Sequence, residues 1–257
     1  MRKKHWLAVC TLLLFLGMRF LKYPMAYGIF GVESWKAMDH DLKVALLNYS
    51  QIALILLFTS FWFRRAPWPY LGLHTGFVKG LLAGLLCTTP MWIGYTWLQG
   101  LADIPTATLL HRDLMMAGFF EELAFRGFAF GLLYFRAGWG FIPAVLLPSV
   151  FFGIGHLYQA ESTGQAAGIF LFTALANAGF AWFYLACRSL WMVVFLHGFM
   201  DLAWDMYGVA ENVTGNTWAN VFRFLTLGLA IAYCIREARA NGSYDLRGKL
   251  WTNSIHP

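Results

Sequence analysis

Charge is scarce in this chain. Only 12% of its 257 residues are Asp, Glu, Lys or Arg, while 59% are hydrophobic and the mean hydropathy is +0.56. A soluble domain carries about twice that share of charge. So little polar surface excludes an ordinary soluble enzyme, a coiled coil and a disordered chain. The four cysteines, Cys10, Cys87, Cys187 and Cys234, lie in apolar stretches with no CxxC pair, so neither a disulfide frame nor a zinc knuckle is present. Basic patches are absent too. The formal net charge is +6, but the basic residues are scattered between apolar runs, which excludes nucleic acid as a partner and fits the basic loops of a membrane protein. There is no GxSxG elbow, no HExxH helix and no inverted repeat of interrupted helices.

What the chain does have is apolar length. A membrane-spanning helix needs about 20 mostly apolar residues. Eight such runs are expected, near 5–21, 42–63, 77–101, 113–135, 139–158, 164–187, 190–208 and 218–236. The fold class is therefore all-α: one integral-membrane domain over 1–257, with about eight transmembrane helices. Arg2, Lys3 and Lys4 precede the first run as they would in a signal peptide. No small-x-small cleavage site follows near Arg19–Tyr23, so an uncleaved span is expected.

Orientation follows from the loops. With the N-terminus inside, the inner segments hold Arg2, Lys3, Lys4, Arg64, Arg65, Arg136 and Arg188, and a tail with Arg236, Arg239, Arg247 and Lys249. Acidic residues dilute the outer loops, and 209–217 has no basic residue. Both termini are expected in the cytoplasm, with the protein in the cell membrane. Gly76, Gly80 and Gly84 repeat at intervals of four, as do Gly127 and Gly131, a spacing that lets helices approach closely in lipid. The tail after Arg236 is polar and expected to be solvated.

Three runs break the apolar rule. The fourth contains Glu121, Glu122 and Arg126, the fifth ends in Phe152 and His156, and the seventh carries His197, Asp201 and then Asp205. Ionisable groups at membrane depth cost a few kcal/mol each, so they need partners or a task. Glu122 and Arg126 are four apart, share a helix face and read as a structural ion pair. Glu121, turned about a quarter-circle away, stays free. His197 and Asp201 are also four apart, so one can orient the other. Phe152 lies one turn beneath His156. Asn177, alone on the sixth run, reads as a helix–helix hydrogen bond.

A carboxylate and an imidazole converging on one water form a general-base pair. A second histidine with a polar partner can hold a developing oxyanion. That is equipment for cleaving an amide without a covalent intermediate. Two rivals stand beside it. Glu121, Glu122, His156, His197 and Asp201 are all possible zinc ligands, which would make a membrane metalloprotease, although Arg126 disfavours a dication there. Intramembrane Glu and His also serve proton-coupled carriers, and a non-catalytic immunity or scaffold protein would need no chemistry at all.

The order Glu121-Glu122-x-x-x-Arg126, Phe152-x-x-x-His156, His197-x-x-x-Asp201 resembles the three-motif signature of the type II CAAX prenyl endopeptidases. These are the CPBP or abortive-infection family of intramembrane glutamic endopeptidases. The resemblance covers about 110–205. It implies a polar cavity among the motif helices and catalytic roles for Glu121, His156, His197 and Asp201. Glu121 and His156 would activate water, and His197 with Asp201 would form the oxyanion site. Glu122, Arg126 and Phe152 would support them. At the last position some relatives carry Asn and others Asp; here it is Asp201, which cannot donate a hydrogen bond when ionised. No cofactor and no metal are expected. The implied partners are membrane lipid and a peptide or protein substrate, lipid-modified for some relatives.

Overall fold

The computed structural model describes residues 2–242 and 249–252. Among the described residues, ten helices follow one another. They are α1 (Arg2–Phe20), α2 (Lys22–Phe30), α3 (Val32–Ala37), α4 (His40–Phe63), α5 (Phe77–Gln99), α6, α7 (Phe141–Gly155), α8 (Thr163–Cys187), α9 (Leu190–Tyr207) and α10 (Thr217–Ala240). Helix α6 begins at Ala107–Leu110 and continues over His111–Glu121, Leu123–Phe130 and Leu132–Arg136 in a wider winding with i→i+5 hydrogen bonds. Among the described residues there is no strand beyond one bridge, Trp139 to Thr252. The protein is an all-α integral membrane protein.

Among the described residues, five helices are long and apolar enough to cross a membrane: α4, α5, α7 with its following turn, α8 and α10. Helices α1 and α2, bent by 60° at Leu21, form a sixth candidate if they act as one span. The expected count of eight is not reached on that measure. The two runs that fall short, α6 and α9, are those that carry the charged motifs. They need less apolar character, because they pack inside the bundle and not against lipid. Helix α9 packs most extensively on α5 and then on the first half of α6, while α7 packs on α8 and α10 on α5.

Glycine makes those approaches possible. A Cβ at Gly84 would lie 2.7 Å from Phe195 Cβ, and one at Gly80 would lie 2.7 Å from the Trp191 carbonyl carbon. The Gly80–Gly84 stripe is therefore the α5–α9 seam. Gly118 and Gly198 do the same where α6 crosses α9: a Cβ on the first would sit 2.9 Å from Cα of the second. Helix starts are capped by side chains that accept orphan backbone N–H groups. Asp39 accepts from Leu42, Thr106 from Leu109, Ser162 from Gln165 and Asn216 from Ala219.

Leu250 and Trp251 in the tail are exposed, and the tail backbone also docks on α7. The Lys249, Leu250 and Trp251 carbonyls accept from the N–H groups of Phe141, Ile142 and Gly140, at 2.9, 2.9 and 3.1 Å. These are the orphan donors at the start of α7. Arg247 lies outside the described residues.

Candidate active site

The centre of the bundle is a charged cluster built on α6. Glu122 is fully buried and Arg126 is 1% exposed. Arg126 Nη1 lies 3.0 Å from Glu122 Oε1, which is the ion pair expected from their spacing. The guanidinium sits between the rings of Phe152 from α7 and Phe180 from α8, at 4.8 and 5.4 Å from their centroids. One buried arginine thus ties three helices together.

Glu122 also reaches a second helix. Its Oε1 lies 2.7 Å from Nδ1 of His197 on α9. The close crossing at Gly118 and Gly198, beside these two residues in sequence, brings them that near. An ionised carboxylate only accepts, so Nδ1 carries hydrogen and donates. The other ring nitrogen, Nε2, faces Asp201 Oδ2 at 3.4 Å, long for a hydrogen bond. His197 therefore has a carboxylate on each side, and the shorter contact is to Glu122. Sequence spacing pairs His197 with Asp201 alone, and the Glu122 contact carries no local signal because it joins residues 75 apart.

His156 occupies the C-terminal end of α7. Its Nδ1 is 2.8 Å from the Phe152 carbonyl oxygen, and its ring lies 4.5 Å from that of Phe152. A carbonyl only accepts, so Nδ1 carries a hydrogen and Nε2 is the ring nitrogen outside that bond. Phe152 thus supports His156 with its backbone and Arg126 with its ring. Glu121 and His156 line one cavity of about 340 Å³. Glu121 is electrostatically coupled to His156, His197, Asp201, Arg126 and Arg19. His197 and Asp201 do not line that cavity.

Around this core, Arg112 Nε pairs with Asp113 at 2.9 Å and its Nη2 with Asp205, closing the start of α6 onto the end of α9. Asn177 donates to Ser149 at 2.9 Å, the expected α8–α7 bond. Among the described residues no cluster of three or more His, Cys, Asp or Glu side chains is placed to hold a metal ion.

Residues 103–203 match the family model for type II CAAX prenyl endopeptidases, Rce1-like. The match runs from the loop before α6 into α9 and contains Glu121, Glu122, Arg126, Phe152, His156, His197 and Asp201. The resemblance seen in the three motifs holds over that segment, which is similar to the CAAX-type membrane proteases. Comparison with curated proteins and with solved structures gave no match.

Proposed function

We propose that the protein cleaves a peptide bond with a water molecule activated by Glu121 and His156, without a metal. The observation that carries this reading is the shared cavity, in which Glu121 is free of any ion pair among the described residues and His156 presents Nε2. The water oxygen adds to the peptide carbonyl carbon as its proton passes to the Glu121–His156 pair. The same proton then goes to the amine nitrogen as the C–N bond breaks, giving a carboxylic acid and an amine. His197, held through Nδ1 by Glu122, turns Nε2 outward. A hydrogen there, only loosely held by Asp201 Oδ2 at 3.4 Å, can serve the developing oxyanion while Asp201 keeps the ring oriented. Glu122, Arg126 and Phe152 fix the two histidines. The substrate is a membrane-associated protein or a peptide, with or without a lipid.

The test is digestion of a mixed library of synthetic apolar peptides by the purified protein in detergent, with products read by mass spectrometry. The wild type is expected to cleave. Glu121→Gln and His156→Gln are expected to cleave nothing while melting within a few degrees of wild type. Cleavage by Glu121→Gln at the wild-type rate would remove the glutamate from the mechanism.

A further inference from the structure

The cavity that holds Glu121 and His156 is only half built by the motif helices. Its other wall comes from α1, the start of α2 and α4, all outside the 103–203 segment that matches the family. That wall contributes two cations, Arg19 and Lys22, and two amides, Asn48 and Gln51. Among the described residues lining the cavity, Glu121 is the one carboxylate, so two basic side chains face one acidic one.

Arg19 is held in place. An arginine near the end of an apolar helix ordinarily snorkels to water. Here the guanidinium folds inward, 5.5 Å from the Phe15 ring centroid and 5.0 Å from that of Phe125. Its Nη2 donates to Gln51 Oε1. Gln51 is itself buried, and its Nε2 donates to the Leu47 carbonyl at 3.0 Å, which fixes the direction of its oxygen. Arg19 Nε is buried without a hydrogen-bond acceptor among the described residues, and Arg19 enters no ion pair among them. Arg19 as a whole is half-buried, and a half-buried guanidinium with an unused N–H favours an anion that reaches it, its fork matching a carboxylate.

From this arrangement we infer that Arg19, assisted by Lys22, is the subsite for a carboxylate on the peptide substrate. The inference rests on the endopeptidase reading above. A terminal carboxylate and an Asp or Glu side chain offer the same chemistry. The cavity is at the small end for ligand sites, so it admits only a short stretch of chain. Arg19 and Glu121 line the same small cavity. A carboxylate bound there would therefore be close in sequence to the bond facing Glu121. A lipid phosphate in the same place would block the glutamate, which favours an anion that arrives with the substrate.

The experiment uses full-length Glu121→Gln protein in detergent, which keeps the cavity but not the base, and reads binding as thermal stabilisation. The probes are N-acetyl-Phe-Leu-Ala as free acid and as amide, and N-acetyl-Phe-Asp-Ala amide beside its Asn analogue. Each acid is expected to bind roughly ten- to a hundredfold more tightly than its neutral partner, the scale of a charged hydrogen bond. A preference for only one acid would say which source supplies the carboxylate. Adding Arg19→Gln should abolish the preference, while Arg19→Lys should keep part of it. Lys22→Gln should weaken it and serves if the Arg19 variants do not fold. Acids and amides alike, bound equally or not at all, would overturn the inference, as would a preference that survives Arg19→Gln. Arg19-dependent stabilisation by a short-chain phosphatidylglycerol in place of the acids would overturn it in favour of a lipid headgroup. Because binding is read without Glu121, failure here leaves the endopeptidase reading standing, and loss of that reading would appear in the cleavage assay.

Discussion

At the residue scale, two adjacent glutamates have different surroundings. Glu122 is enclosed, with Arg126 and His197 on one carboxylate oxygen, whereas Glu121 faces the cavity. Glu122→Gln leaves Arg126 as an uncompensated buried charge, and losing one partner of such a pair costs roughly 3–5 kcal/mol. Its yield and melting temperature in detergent should fall clearly below those of Glu121→Gln. Equal stability of the two would mean the roles are misassigned. The sequence made this division legible, because four-residue spacing selects Glu122 as the arginine's partner. The grip of Glu122 on His197 was not legible, since no local pattern reports a contact between two helices. That contact changes the expectation for Asp201. With His197 already anchored on Glu122, Asp201→Asn should keep substantial activity, because an amide can accept from or donate to the ring. Asp201→Ala should lose roughly 10²–10³ in kcat, the scale of one oxyanion group, if Asp201 also orients Nε2. An Asp201→Asn enzyme as inactive as Asp201→Ala would show that the charge or proton of Asp201 itself is used.

Element by element, small residues decide where helices can meet. The glycine stripe on α5 was readable as a packing signal, but its partner became visible only in three dimensions: α9, which carries His197. A side chain at Gly84 has no space, since its first carbon already meets Phe195 Cβ at 2.7 Å and the Phe195 carbonyl carbon at 3.0 Å. Gly84→Leu should therefore push α9 away, at roughly 1–3 kcal/mol or more. A Cβ at Gly228 on α10 would meet nothing within 4 Å, so Gly228→Leu should be neutral in the same melting assay. Matching losses at both sites would contradict the seam. The winding of α6 had no counterpart in the sequence. Apolar periodicity does not separate i→i+4 from i→i+5 bonding in a run this hydrophobic, and wide-wound segments are often found at functional sites.

Across the whole molecule, lipid-facing helices surround two charged ones. Composition alone disclosed the membrane class and the all-α fold. Counting spans by apolar length stops at five or six, because α6 and α9 exchange apolar surface for the motif charges. The contribution of α1 and α4 to the cavity stayed hidden, since Arg19 and Gln51 sit alone among apolar neighbours and match no motif. The distribution of basic loops predicts that Arg65 and Arg188 lie on the cytoplasmic side and Arg112 and Asn212 on the other. Alkaline-phosphatase fusions should be active at Arg112 and Asn212 and silent at Arg65 and Arg188, and the reverse pattern would invert the molecule. The central claim is hydrolysis by a glutamate and a histidine with no metal. It is tested most directly by the initial rate of peptide cleavage after exhaustive chelation, before and after zinc is added back, beside Glu121→Gln. The expected result is an unchanged wild-type rate in chelator, no gain from zinc, and a loss of roughly 10²–10⁴ or more for Glu121→Gln. A rate that vanishes in chelator and returns with zinc would contradict the account and make the protein a metalloprotease.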